Sequence, residues 1–313
     1  MSLDPELAVV VDLVNAQTAA PAAEQGATAL RDAYAMLATM LGAGSGEVST
    51  MDLELDLSGR SLRARSYLPE DPAAGAGTVV WFHGGGFVIG SIDTHDAICR
   101  DLAAACGWPV VSVDYRLAPE HTFPAAHDDA EEAVRWLAAN GGAHGLDLAR
   151  TALAGDSAGA NLAIATARRL RDAPEPGVDV VLAALVYPVT DFADPDSHPS
   201  YADNGEGYLL TADTMRFFAD SYLPEAAQRA TPDASPLRYA ELAGMAPTLV
   251  VTAEYDPLRD EGEDYVAALE AAGVPVQLRR FDGAVHMALQ LVDTRIGRAM
   301  RDTVADAIRA SVT

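Results

Sequence analysis

Four short segments, in a fixed order along the chain, constrain this sequence more than any other feature. They are His83-Gly84-Gly85-Gly86, Gly155-Asp156-Ser157-Ala158-Gly159, Asp256 and His286. The second is the most demanding. An apolar run of strand character (151–154) precedes it and a helical pattern (160–171) follows it, so Ser157 falls on a sharp strand-to-helix turn. A serine exposed there takes a strained backbone conformation, and its neighbours two residues away must be small. Gly155 and Gly159 meet that need, and Gly-x-Ser-x-Gly occurs nowhere else in the chain. The start of a helix also offers unpaired amides to a developing negative charge.

A serine hydroxyl is a weak nucleophile until a base takes its proton. Of the seven histidines, His286 lies downstream of Ser157 in a loop that follows a strand pattern (276–281). His198 instead sits within Pro195-Asp196-Ser197-His198-Pro199, too rich in turn formers to follow a core strand. Three carboxylates come after the strand pattern 248–253: Glu254, Asp256 and Asp260. Asp260 opens a helical pattern and reads as a cap, and Glu254 sits at the strand's end. Asp256 falls in the loop, kept from helical geometry by Pro257, and is the expected acid. The glycines after the buried strand 78–82 can turn backbone amides toward a substrate oxygen, together with the amide of Ala158. The combination points to acyl transfer.

Strand patterns (78–82, 110–113, 151–154, 180–187, 248–253, 276–281) alternate with helical ones (94–106, 127–140, 160–171, 260–272, 296–311). That alternation predicts an α/β fold with a mostly parallel central sheet flanked by helices. The four segments fall at the carboxyl ends of its strands, where ligands bind in such sheets. Upstream, stretches 7–20 and 27–41 read as helices, and 51–57 with 60–67 as a hairpin around Ser58-Gly59. The stretch 191–223 interrupts the alternation, first rich in Asp, Pro and Gly, then helical with Met215, Phe217, Phe218 and Tyr222. An aromatic helix of this kind needs an apolar surface to cover.

From about Ser66 onward the chain resembles the hormone-sensitive-lipase family of esterases, the bacterial type IV lipolytic enzymes. The matching blocks are His83-Gly84-Gly85-Gly86-Phe87, Asp114-Tyr115-Arg116-Leu117-Ala118-Pro119-Glu120 with Phe123-Pro124-Ala125-Ala126, the serine pentapeptide, Asp256-Pro257-Leu258-Arg259-Asp260-Glu261-Gly262, and Ala272-Gly273-Val274. The resemblance implies an α/β-hydrolase fold with a helical cap. The cap would comprise 1–45 and 191–223, and the catalytic core 46–190 and 224–313. It implies Ser157 as nucleophile, Asp256 as acid and His286 as base, with the amides of Gly85, Gly86 and Ala158 as oxyanion hole. His83 would shape its own loop. The expected reaction is hydrolysis of short- to medium-chain acyl esters through an acyl-enzyme. Phe87, Val88, Tyr187, Leu209, Met215 and Met287 are the expected pocket wall. The family often forms dimers through the last strand, so a homodimer is a possible assembly. One departure stands out: the family has His-Gly-Phe at the base, and this chain has His286-Met287-Ala288. The methionine adds an adaptable apolar group beside the site. On the same scaffold, a deacetylase, lactonase, amidase or a catalytically dead ligand-binding homologue is the alternative.

Composition removes other classes. The chain of 313 residues carries 46 acidic and 21 basic side chains, every basic one an arginine. Such a surface repels nucleic acid and anionic membranes. No apolar run is long enough for a transmembrane helix, and the acidic start lacks a basic secretory leader, so a cytoplasmic protein without stable membrane insertion is expected. Cys99 and Cys106 would lie roughly 10 Å apart along one helix, beyond disulfide reach, and read as buried thiols. The glycine loop is no dinucleotide site, because Ile89 stands where the third glycine is required. His83, His95, His121 and His127 share no metal-binding spacing, so neither metal nor cofactor is expected.

Overall fold

A computed structural model describes residues 2–16 and 20–311. Among them, eight strands form one sheet: β1 (Val48–Leu57), β2 (Arg60–Pro69), β3 (Thr78–Phe82), β4 (Val110–Val113), β5 (Thr151–Asp156), β6 (Val180–Val186), β7 (Thr248–Tyr255) and β8 (Val276–Val285). Their order across the sheet is β1-β2-β4-β3-β5-β6-β7-β8. The β1/β2 hairpin and the β2/β4 pair are antiparallel, and every other pair is parallel. The hairpin closes through Gly59, whose φ of 74° suits a tight turn.

The parallel strands are buried on both faces, which explains their unbroken apolar runs. Successive residues alternate between two cores. Val80, Phe82, Leu153, Leu185 and Val250 face one; Val79, Trp81, Ala154, Val186 and Val251 face the other. The first core is covered by α4 (Ala125–Asn140), α5 (Ala158–Asp172) and α9 (Arg259–Ala271). The second is covered by α1 (Pro5–Asn15), α3 (Asp96–Cys106) and α10 (Arg295–Ala310). Cys99 and Cys106 lie in α3 as buried free thiols.

The remaining helices are α2 (Ala22–Met40), α6 (Pro199–Asn204), α7 (Ala212–Tyr222) and α8 (Ala226–Arg229). The expected helix 7–20 forms only over Pro5–Asn15, and residues 17–19 of that stretch lie outside the described residues. α2 is kinked at Gly26 and packs on α7 above the carboxyl ends of the strands. Arg31 fastens it there: the guanidinium donates to the carbonyls of Val88 and Ala118 and pairs with Glu120 at 2.7 Å. Asp260 is not the cap of its own helix, whose N-cap position is Leu258. Its carboxylate instead accepts the Ser200 amide at 2.8 Å and so ties α6 to α9.

Candidate active site

Ser157 stands between β5 and α5 with φ 54° and ψ −120°, a conformation that costs about 1–3 kcal/mol. The flanking glycines permit it. A Cβ on Gly159 would lie 1.9 Å from the carbonyl oxygen of Phe82, and one on Gly155 2.5 Å from the same oxygen. The elbow therefore nests against the end of β3, the strand that pairs with β5 in the sheet.

Three side chains from three loops converge there. The Ser157 hydroxyl lies 3.0 Å from Nε2 of His286, and Nδ1 of His286 lies 2.7 Å from Oδ2 of Asp256. Asp256 is wholly buried, and its other oxygen accepts the Leu258 amide at 2.9 Å. A carboxylate can only accept, so Nδ1 carries the proton and Nε2 is left to receive one from Ser157. The Tyr187 ring packs 4.3 Å from the imidazole and holds its plane. Of the rival acids, Glu254 accepts the Gly283 amide at 2.7 Å and Asp260 is engaged with Ser200. His198 is buried elsewhere, between Asp191 and Asp264.

The three glycines of the loop after β3 have separate roles. The Gly84 amide donates to Asp156 Oδ1 at 2.9 Å and is not free for a substrate. Gly85 and Gly86 have φ of 120° and 60°, and a Cβ on Gly86 would strike the Phe218 ring at 2.1 Å. Ala158 opens α5, so its amide has no acceptor within the helix. His83 shapes the loop as expected, with Nδ1 2.8 Å from the Gly84 carbonyl oxygen and its ring stacked on Tyr115. Burial, helped by the nearby His95, pushes its pKa down to about 3, so the ring is neutral.

A polar network that the sequence reading missed lies behind Ser157. Asp156 accepts from Gln290 Nε2 at 3.1 Å, and Gln290 also donates to the Tyr34 hydroxyl at 2.6 Å. Burial opposes charge on Asp156, but the His95 ring and the Gly84 amide outweigh it and hold the carboxyl below its ordinary range. Burial and the Asp156 charge raise Tyr34 well above the usual phenol range, so it stays protonated. Asp156, the second position of the serine pentapeptide, thus ties the glycine loop through Gln290 to Tyr34 of α2.

A mostly apolar cavity of about 110 Å³ opens on Ser157 and His286. Leu209, Met215 and Met287 line it, in keeping with the sequence reading. Phe87, Val88 and Tyr187 do not. Phe87 stacks 4.2 Å from Tyr222, underneath α7, and Val88 is fully buried in the same core. Tyr187 stands behind the imidazole rather than in the cavity. The wall is completed by Tyr34, Ile89, Leu210, Thr214 and Phe218. Phe218 was legible, because it follows Met215 by three positions and shares its helix face. Tyr34 carries no local signal; only the tertiary path of α2 delivers it.

The family model described as the alpha/beta hydrolase fold matches residues 79–290. The chain belongs to the α/β-hydrolase family. Among curated α/β-hydrolases it is 39% identical over 304 residues to ethyl acetate hydrolase from Pseudomonas putida, covering 91% of this chain and 92% of that one. Esterase LipI from Mycobacterium tuberculosis is 42% identical over 243 residues, covering 77% and 75%. The solved structure of a hyperthermophilic esterase from the archaeon Pyrobaculum calidifontis superposes with a TM-score of 0.92 at 38% identity over the full length of both chains. These relatives bear out the resemblance to the hormone-sensitive-lipase type of esterase.

Proposed function

We propose that this α/β-hydrolase is a carboxylesterase acting on short- to medium-chain acyl esters through a serine acyl-enzyme. The carrying observation is the continuous contact from Ser157 Oγ through His286 to Asp256, at 3.0 and 2.7 Å. His286 takes the serine proton as Ser157 attacks the ester carbonyl, and Asp256 orients the imidazole and stabilises its charged form. The amides of Gly85, Gly86 and Ala158 hold the oxyanion. His286 then protonates the leaving alcohol, and water repeats the sequence on the acyl-enzyme.

Every group in this cycle is supplied by the chain, and no described cluster of His, Cys, Asp and Glu could hold a metal ion. Within segments 1–45 and 191–223, α2 and α7 act as a cap over the core segments 46–190 and 224–313, whereas α1 packs on the second core. Support comes from α2 packing on α7 and from Tyr34, Met215 and Phe218 all reaching the cavity. Relatives named for ester hydrolysis, one of them for ethyl acetate, favour a small ester substrate over an amide. Among the described residues no helix is long and apolar enough to cross a membrane. A cytoplasmic site of action accords with the two free thiols, and a homodimer would pair the β8 edges, where Leu278 is exposed.

The test is an ester and amide panel on the wild type and Ser157→Ala. The variant should keep its fold and lose on the order of 10⁶ in kcat on esters. A loss of only tenfold would remove Ser157 from the reaction, and amides turned over faster than esters would replace the substrate class.

A further inference from the structure

Two side chains in the cavity occupy backbone positions that favour glycine. Met287 has φ 70° and ψ 1°, and Leu209 has φ 72°. Side chains larger than hydrogen are disfavoured there, and glycine adopts such angles freely. The other non-glycine residues with positive φ have visible reasons. Ser157 forms the elbow, Phe87 stacks on Tyr222, and Tyr187 packs on His286. Met287 and Leu209 have no such ring contact. What they share is the cavity, which they line from different elements. Met287 comes from the loop after β8, directly after the base, and Leu209 from the segment before α7.

The space they leave is small. An apolar cavity of about 150 Å³ holds one benzene ring, so the 110 Å³ here encloses fewer atoms than that. By the same scale it takes a group of about four carbons. We infer that Leu209 and Met287 are the specificity-determining residues, limiting substrates to esters whose enclosed half has about four carbons or fewer. This rests on the esterase reading above. The strained backbone is kept because side chains at these two positions exclude longer groups, which glycine would admit.

The test compares wild type, Leu209→Gly, Met287→Gly, the double glycine variant and Met287→Phe. Two substrate series are used: p-nitrophenyl esters from acetate to decanoate, and acetate esters of straight-chain alcohols over the same range. Folding is checked by circular dichroism. In one series the wild-type kcat/KM should fall at least tenfold beyond four carbons. The double glycine variant should raise the decanoate-to-acetate ratio, or its alcohol counterpart, at least tenfold. Met287→Phe should move the fall-off to shorter groups, which keeps the test intact if a glycine variant folds poorly. An unchanged ratio in folded variants, or wild-type rates that hold level to ten carbons, would overturn the inference and leave the esterase reading standing. A wild type inert on every ester would bring down both.

Discussion

Replacing Asp256 with Asn isolates the role proposed for the acid from everything else at the site. The residue is fully buried, with one oxygen accepting the Leu258 amide at 2.9 Å and the other facing His286 Nδ1 at 2.7 Å. Asn can satisfy the Leu258 amide only by turning its carbonyl oxygen that way, which points its NH₂ at Nδ1. Two donors cannot face each other, so the imidazole moves its proton to Nε2, and Nε2 can no longer receive one from Ser157. The equivalent change in a serine protease costs about 10⁴ in kcat, or about 5 kcal/mol of transition-state stabilisation. Asp256→Asn should therefore lose about that factor on p-nitrophenyl acetate, with KM little changed. Glu254→Gln is the control. Its carboxylate serves the Gly283 amide, which a Gln oxygen can also serve, so its kcat should stay within about threefold of wild type. An Asp256→Asn variant within tenfold of wild type, or an equal loss in Glu254→Gln, would refute the assignment of the acid.

Three further outcomes follow from the geometry. Gly159→Ala should lower stability by about 1–3 kcal/mol or prevent soluble expression, because the new methyl meets the Phe82 carbonyl oxygen at 1.9 Å; an unchanged Tm would contradict the nested elbow. A Ser157→Ala/Asp256→Asn double variant should be no slower than Ser157→Ala alone, since residues acting as a unit are not additive; a further large loss in kcat would mean that Asp256 acts apart from Ser157. Burial pushes the Glu261 carboxyl up to about 8 although it accepts the Thr190 amide. An unfolded Glu titrates near about 4.3, so the folded protein retains a proton that the unfolded chain releases. That contribution to stability is complete at low pH and is lost as pH rises through about 8. Glu261→Gln has no such proton to lose, so its Tm relative to wild type should climb between pH 5 and pH 8, and parallel Tm curves would count against a buried neutral carboxyl.

The strands of the parallel sheet could be read because both of their faces are buried, which leaves unbroken apolar runs such as Thr78–Phe82 and Val110–Val113. The positions of Ser157, Asp256 and His286 were legible for a related reason: each follows a strand, and strand ends of a parallel sheet share one rim. The pocket wall was harder. Phe87 and Val88 adjoin the glycine loop in sequence, but the loop turns them under α7 into the core. Nearness along the chain does not say which face a loop residue takes. Tyr34 lies far upstream, and it reaches the Asp156 network only because α2 is fastened down by Arg31. The role of Asp156 was open to view inside the pentapeptide, yet its partners, the Gly84 amide and Gln290, are remote in sequence and meet it only after folding.

Covalent labelling tests most directly whether one serine hydroxyl is activated by this relay. The protein would be treated with a serine-reactive fluorophosphonate and the adduct located by peptide mass spectrometry. A single adduct on Ser157, lost in His286→Ala, is the predicted result. An adduct on another residue, or labelling of Ser157 at an undiminished rate without His286, would contradict the account.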